Sequence, residues 1–158
     1  MKKKLTVLIP TYSKDIDFLR QALKSVLWAD EILIADSSET EVGRRQVREL
    51  ADEFQASYIS REYNYSADFK NWAIPQARNE WVLLLDSDEV VTKKLTRKIK
   101  RILNSEEVDN YDGFGIARKH FFFGRFLKYG GRYPLYNIRL FRKSFRYEDR
   151  DVHAHIVL

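Results

Sequence analysis

Hydrophobic positions follow two alternating periods along the first two thirds of the chain. Leu5-Thr6-Val7-Leu8-Ile9 is a β-rich apolar run closed by Pro10. A short run of this kind, bounded by a breaker, predicts a buried strand. Leu19, Ala22, Leu23, Val26 and Leu27 then recur at i, i+3, i+4, i+7 and i+8, the spacing of one helix face. Glu31-Ile32-Leu33-Ile34-Ala35-Asp36 is a second apolar run that ends in an acid. Val47, Leu50, Ala51 and Phe54 form a second helical stripe, and Ser57–Ser60 reads as a weak third strand. Residues 66–78 read as a helix disturbed at Pro75, which lacks an amide hydrogen and crowds the preceding turn. Trp81-Val82-Leu83-Leu84-Leu85 is the strongest strand. Thr92 is placed to cap a helix whose apolar face is Leu95, Ile99, Ile102 and Leu103.

Four strand–helix pairs in succession predict an α/β fold, a mostly parallel sheet with helices on both faces. In such sheets ligands bind outside the carboxyl ends of the strands. Tyr12, Asp36, Glu62 and the run Asp86–Glu89 all fall there. After Asn110 the alternation stops. Strands are predicted over Gly113–Ala117, Phe121–Leu127 and Tyr136–Phe141, punctuated by Gly130, Gly131 and Pro134. This part reads as a smaller antiparallel unit joined to the sheet. The 158 residues fit one domain, with halves at 1–112 and 113–158. Val157-Leu158 falls in what reads as a strand interior, so a longer parent chain, or a second chain over this edge, is expected.

Charge sharpens the division. Residues 1–112 carry 18 basic and 20 acidic side chains, whereas residues 113–158 carry 10 basic and 3 acidic. From Gly113 to Tyr147 there is no acid, and the same stretch holds 11 aromatic residues. Such asymmetry predicts an anionic partner (phosphate, nucleic acid or membrane surface), or else a solvated basic face over an aromatic core. The helix after Thr92 has six basic residues between Lys93 and Arg101. Lys93 and Lys94 oppose the dipole at its start, and contact with an anionic bilayer would offset that cost. No apolar stretch is long enough to span a membrane, and no signal-peptide pattern precedes the first strand. With no Cys, disulfides, thiolate metal sites and a Cys nucleophile are excluded, and a cytoplasmic protein is expected.

The acids after the strongest strand carry the most chemistry. Three Asp-x-Asp pairs occur, Asp15/Asp17, Asp86/Asp88 and Asp149/Asp151, so spacing alone decides little. Asp86-Ser87-Asp88-Glu89 differs in following five apolar strand residues with three acids in four positions. Clustered carboxylates repel one another. A turn with a helix cap is the plain explanation. A divalent cation held together with substrate phosphates is the one favoured here, since Mg²⁺ or Mn²⁺ takes oxygen ligands.

The set Pro10-Thr11-Tyr12, Ala29–Ser37, Asp68-Phe69-Lys70-Asn71, Ala77 with Trp81–Glu89, and Arg139-Leu140-Phe141-Arg142 resembles the family 2 glycosyltransferases. It looks closest to the subgroup of lipopolysaccharide-core β-glucosyltransferases. The resemblance implies a GT-A (Rossmann-like) fold, a nucleotide-sugar donor, with UDP the expected nucleotide, and Mg²⁺ or Mn²⁺. By matching position it implies that Pro10, Thr11, Tyr12 and Asp36 hold the base and ribose, and that Lys70 and Asn71 face the nucleotide. Asp86, Ser87 and Asp88 would meet the donor, with Asp88 the more direct metal ligand and Asp86 and His153 beside it. Gly131 falls in the family's glycine loop. The chain reads His153-Ala154 where many relatives read His-Glu.

A transfer of sugar to an acceptor hydroxyl with inversion needs a base, and Asp149, then Asp151, is expected in that role. Arg139 and Arg142 are expected to assist the leaving diphosphate. The acceptor would be a glycan or lipid-linked hydroxyl in cell-envelope polysaccharide synthesis, reached from the inner face of the membrane. No nucleic-acid partner is expected. Two other readings stay open. Leu83–Val90 fits the first motif of haloacid-dehalogenase-type phosphatases, with Asp86 as nucleophile. Residues 113–147 fit a basic aromatic module for nucleic acid.

Overall fold

A computed structural model of the chain describes residues 2–118, 121–122, 125–126, 135–150 and 155–157. The strands are β1 (Leu5–Thr11), β2 (Glu31–Asp36), β3 (Ser57–Ser60), β4 (Trp81–Leu84), β5 (Gly113–Arg118), β6 (Phe121–Phe122), β7 (Arg125–Phe126), β8 (Leu135–Arg142), β9 (Arg146–Tyr147) and β10 (Ile156–Val157). The α-helices are α1 (Ile16–Val26), α2 (Glu41–Glu53), α3 (Ser66–Ala73) and α4 (Lys93–Leu103).

The main sheet runs β3-β2-β1-β4-β8-β5. β1 through β4 are mutually parallel, and β8 joins β4 antiparallel, followed by β5 antiparallel to β8. The expected α/β architecture is therefore present, with the antiparallel part fused to the same sheet.

Side chains alternate across the sheet, and that alternation sorts the core into two layers. Val7, Ile9, Ile34, Trp81, Leu83 and Leu140 face α1, α2 and α4. Leu8, Leu33, Val82, Leu84 and Phe141 face α3 and Ile156 of β10. The helical stripes read from the sequence are the buried ones: Leu19, Ala22, Leu23 and Val26 in α1, and Val47, Leu50 and Ala51 in α2. Thr92 caps α4 as expected, its hydroxyl accepting from the Leu95 amide.

Three local expectations are corrected. The helix predicted over 66–78 is an α-helix only to Ala73, and Ile74–Gln76 continues as a 3-10 turn around Pro75. The missing donor at Pro75 is tolerated there because the first positions of a turn need none. The single strand expected over Phe121–Leu127 is instead two short strands, β6 and β7, paired with each other. Leu85 falls just past β4, although its amide still donates to the Leu8 carbonyl at 3.0 Å.

Candidate nucleotide-sugar site

Parallel register brings the polar strand ends together. Thr11 pairs with Asp36, and Asp36 with Ser60. Leu8 lies beside Leu84, so Asp86 emerges at the level of Pro10. A cleft opens at this carboxyl edge, lined by Pro10 and Thr11 from β1 and Tyr12 just after it, Ser37 after β2, Tyr63, Ser66, Phe69 and Lys70 around the start of α3, and Asp86 and Ser87 after β4. Six of the expected donor-binding residues thus converge: Pro10, Thr11, Tyr12, Lys70, Asp86 and Ser87. Ser37, Tyr63, Ser66 and Phe69 join them without having been assigned a role from the sequence. The Ser37 hydroxyl and amide both donate to the Thr11 carbonyl, at 3.0 and 2.9 Å, and tie β1 to β2 at the cleft floor.

Asp36 lies behind this surface and is fully buried. Its Oδ1 accepts from the Ser38 amide at 2.8 Å and the Ser38 hydroxyl at 2.6 Å, and its Oδ2 accepts from the Tyr58 hydroxyl at 2.7 Å. Burial, then the bond to Asp36, raises the Tyr58 pKa above its usual value.

The acidic run after β4 is built around an arginine. Arg139 Nη2 donates to Asp86 Oδ2 at 2.8 Å and stands 3.5 Å from Glu89 Oε1. The Asp86 amide donates to Glu89 Oε2 at 3.0 Å, and the Glu89 amide returns to the Asp86 carbonyl at 3.0 Å. These bonds close the run into a compact turn. Burial opposes the Arg139 charge, but the bond and the nearby charges of Asp86 and Glu89 outweigh it and raise its pKa. Asp88 is exposed and makes no hydrogen bond or ion pair among the described residues. Among those residues no group of three acids or histidines is placed to hold a metal ion.

α3 carries Lys70 and Asn71. The Asn71 side-chain amide is taken up by the Tyr147 backbone, donating to its carbonyl at 3.0 Å and accepting from its amide at 2.7 Å. Lys70 Nζ lies 5.2 Å from the centre of the Tyr147 ring. Asn71 therefore docks β9 onto α3. Asp149, next along, is exposed and accepts a hydrogen bond from the Tyr65 hydroxyl, one residue before α3. Gly131, Asp151 and His153 lie outside the described residues. Arg142 corrects one expectation. It sits opposite Trp81, the first residue of β4, where it pairs with Glu80 and lies 3.4 Å from Asp109. That is the amino end of β4, away from the cleft, so Arg142 does not assist a group bound there.

Residues 6–156 match Glycosyl transferase family 2. The chain belongs to that family. Similar proteins include an uncharacterized glycosyltransferase of Rickettsia bellii, 26% identical over 73% of this chain and 38% of its own length. Another, from Mycoplasma genitalium, is 28% identical over 67% of this chain and 39% of its own. The chain thus spans about two fifths of the length of these relatives. Among solved structures, Staphylococcus aureus TarS 1-349 in complex with UDP aligns with a TM-score of 0.51, at 23% identity over 64% of this chain and 32% of that one. Glucosyl-3-phosphoglycerate synthase of Mycobacterium tuberculosis, in complex with Mn²⁺, UDP and glucosyl-3-phosphoglycerate, aligns at 0.50, with 18% identity over 66% and 41%. At these identities the two structures establish the shared fold of this family 2 chain.

Proposed function

We propose that this family 2 chain transfers a sugar from a nucleoside diphosphate, UDP in the first instance, to a hydroxyl of a glycan or lipid-linked acceptor in cell-envelope polysaccharide synthesis. The subgroup favoured is that of the lipopolysaccharide-core β-glucosyltransferases, acting with inversion at the cytoplasmic face of the membrane. The observation that carries the reading is the convergence of Thr11, Ser37, Lys70, Asp86 and Ser87 on one cleft at the sheet's carboxyl edge. A place of this kind is where open α/β sheets bind nucleotides. The UDP bound by the two similar structures supports the choice of base. Family membership favours this over the phosphatase and nucleic-acid readings.

A divalent ion fits the donor set in one particular way. Asp88 offers an exposed, unbonded carboxylate, whereas Asp86 is committed to Arg139. One carboxylate with substrate phosphates is a usual cradle for Mg²⁺, and Mn²⁺ accepts the same oxygens. When bound, such an ion offsets the charge that grows on the leaving diphosphate. Asp88 would hold it, with His153 as a further ligand. Lys70 adds positive charge beside the phosphates, and Gly131 would let the chain approach donor and acceptor closely. Thr11, Tyr12 and Ser37 form the wall against which base and ribose lie, with Asp36 bracing it from behind. Asp149, hydrogen-bonded to Tyr65 just before α3, is the base that takes the acceptor proton, with Asp151 the next choice.

Calorimetry with UDP, GDP, CDP and dTDP, each with and without Mn²⁺, tests the reading. UDP is expected to bind tightest, only with the ion, and at least tenfold more weakly in Asp88→Asn. Nucleotide binding that ignores both the ion and Asp88→Asn would overturn it.

A further inference from the structure

Arg139 is the one buried arginine or lysine among the described residues. It is only 8% exposed, yet its Nη1 has no hydrogen-bond partner. A guanidinium placed solely to grip a carboxylate would present both amino groups in a fork. Here a single amino group, Nη2, is shared between Asp86 and Glu89, and the other is left over.

The backbone explains how a cation reaches this position. In the β5–β8 ladder Phe114 pairs with Leu140 while Gly115 pairs with Ile138, so Arg139 is an extra residue on β8. A bulge breaks the alternation and re-aims a side chain. The break is visible in the core: Phe141 and Ile138, three apart, belong to the same layer. Without the extra residue, position 139 would share the apolar layer of Phe141. With it, Arg139 reaches the turn after β4.

The turn holds three acids in four positions, and two of them face Arg139. The third, Asp88, faces solvent. From this geometry we infer that Arg139 is a positioning residue that withholds Asp86 and Glu89 from a divalent cation, leaving Asp88 as the turn's only carboxylate available to one. The inference builds on the proposed donor site but concerns the bare cation. A turn with three free acids would bind an ion tightly before any nucleotide arrived. A turn with one free acid binds it well only when phosphates complete the shell.

The test titrates Mn²⁺ alone into the full chain. Arg139→Met keeps the buried bulk and removes the charge, so Mn²⁺ affinity is expected to rise at least fivefold. Arg139→Lys restores the charge and is expected to stay within twofold of wild type. Arg139→Met combined with Asp86→Asn should lose most of the gain. A folded Arg139→Met protein that binds Mn²⁺ no more tightly than wild type overturns the inference. Should that variant fail to fold, Asp86→Asn and Asp88→Asn decide: the first is expected to leave Mn²⁺ affinity within twofold, and a loss equal to that of Asp88→Asn overturns the inference. Failure of the wild type to bind any nucleoside diphosphate would instead sink the transferase reading, and the Mn²⁺ titrations would still stand.

Discussion

Tyr58 and Asp36 show how a single contact can brace a site from behind. Removing the hydroxyl in Tyr58→Phe leaves Asp36 Oδ2 buried without its donor. The expected cost is about 1–3 kcal/mol, read from urea unfolding near pH 8. The pH dependence has a definite sign. The folded-state pKa of Tyr58 lies above the unfolded value of about 10. Above pH 10 the unfolded chain therefore releases the proton more readily, and stability falls as pH rises through the folded pKa. The advantage of wild type over Tyr58→Phe should be fully present below pH 10 and shrink above it. Gly43 is a second sensitive position. A Cβ there would meet Ser13 Oγ at 2.6 Å and Ser13 Cβ at 2.8 Å. Gly43→Ala is expected to lower stability by about 1–3 kcal/mol, seen as a lower urea midpoint, because the first turn of α2 must move away from the loop after β1.

β9 docks onto α3 through the Asn71 amide, with Lys70 set against the Tyr147 ring. Asn71→Ala removes both of its bonds to Tyr147, and the Tyr147 amide should exchange with solvent about 10-fold faster or more, as for a loss of about 1.4 kcal/mol. Hydrogen exchange followed by NMR or mass spectrometry measures it. The same pair marks a boundary in what the chain's pattern reveals. The βα succession was legible because each buried face repeats at its own period, as the α1 stripe and the β4 run do. The convergence of Thr11 and Asp86 followed from that, since parallel strands must end at one edge. Asn71 as a strut was not legible, because its partners lie 76 positions away and are backbone atoms. Arg139 was visible as a base but not as the partner of Asp86, because a bulge leaves no mark on a two-residue alternation this short. Arg142 was misplaced for a related reason: three residues further along β8 carries a side chain to the other end of β4.

For the whole molecule the distribution of charge matters most. The six basic residues of α4 are all exposed, and none makes an ion pair among the described residues. Lys100 Nζ lies 5.6 Å from the Trp28 ring, and neighbouring Leu27 is 61% exposed. Cations beside exposed apolar side chains suit an anionic bilayer, at about 1 kcal/mol per Lys or Arg near the surface. Among the described residues no helix is long and apolar enough to cross a membrane. Flotation with vesicles containing phosphatidylglycerol is expected to carry the protein, 0.5 M salt to release it in keeping with a Debye length of roughly 3–10 Å, and Lys93→Gln with Lys94→Gln to weaken binding about 10-fold or more. No flotation at low salt would count against it.

Asp86 and Arg139 meet because β8 returns beside β4, although 53 positions separate them. Where the chain leaves the sheet and comes back is set by the strands and not by the length of the excursion. Insertions or deletions between β5 and β8 would therefore spare the ion pair, at an entropic cost of about 0.6 kcal/mol per doubling of loop length. The excursion can therefore vary in length while the floor of the cleft keeps its shape.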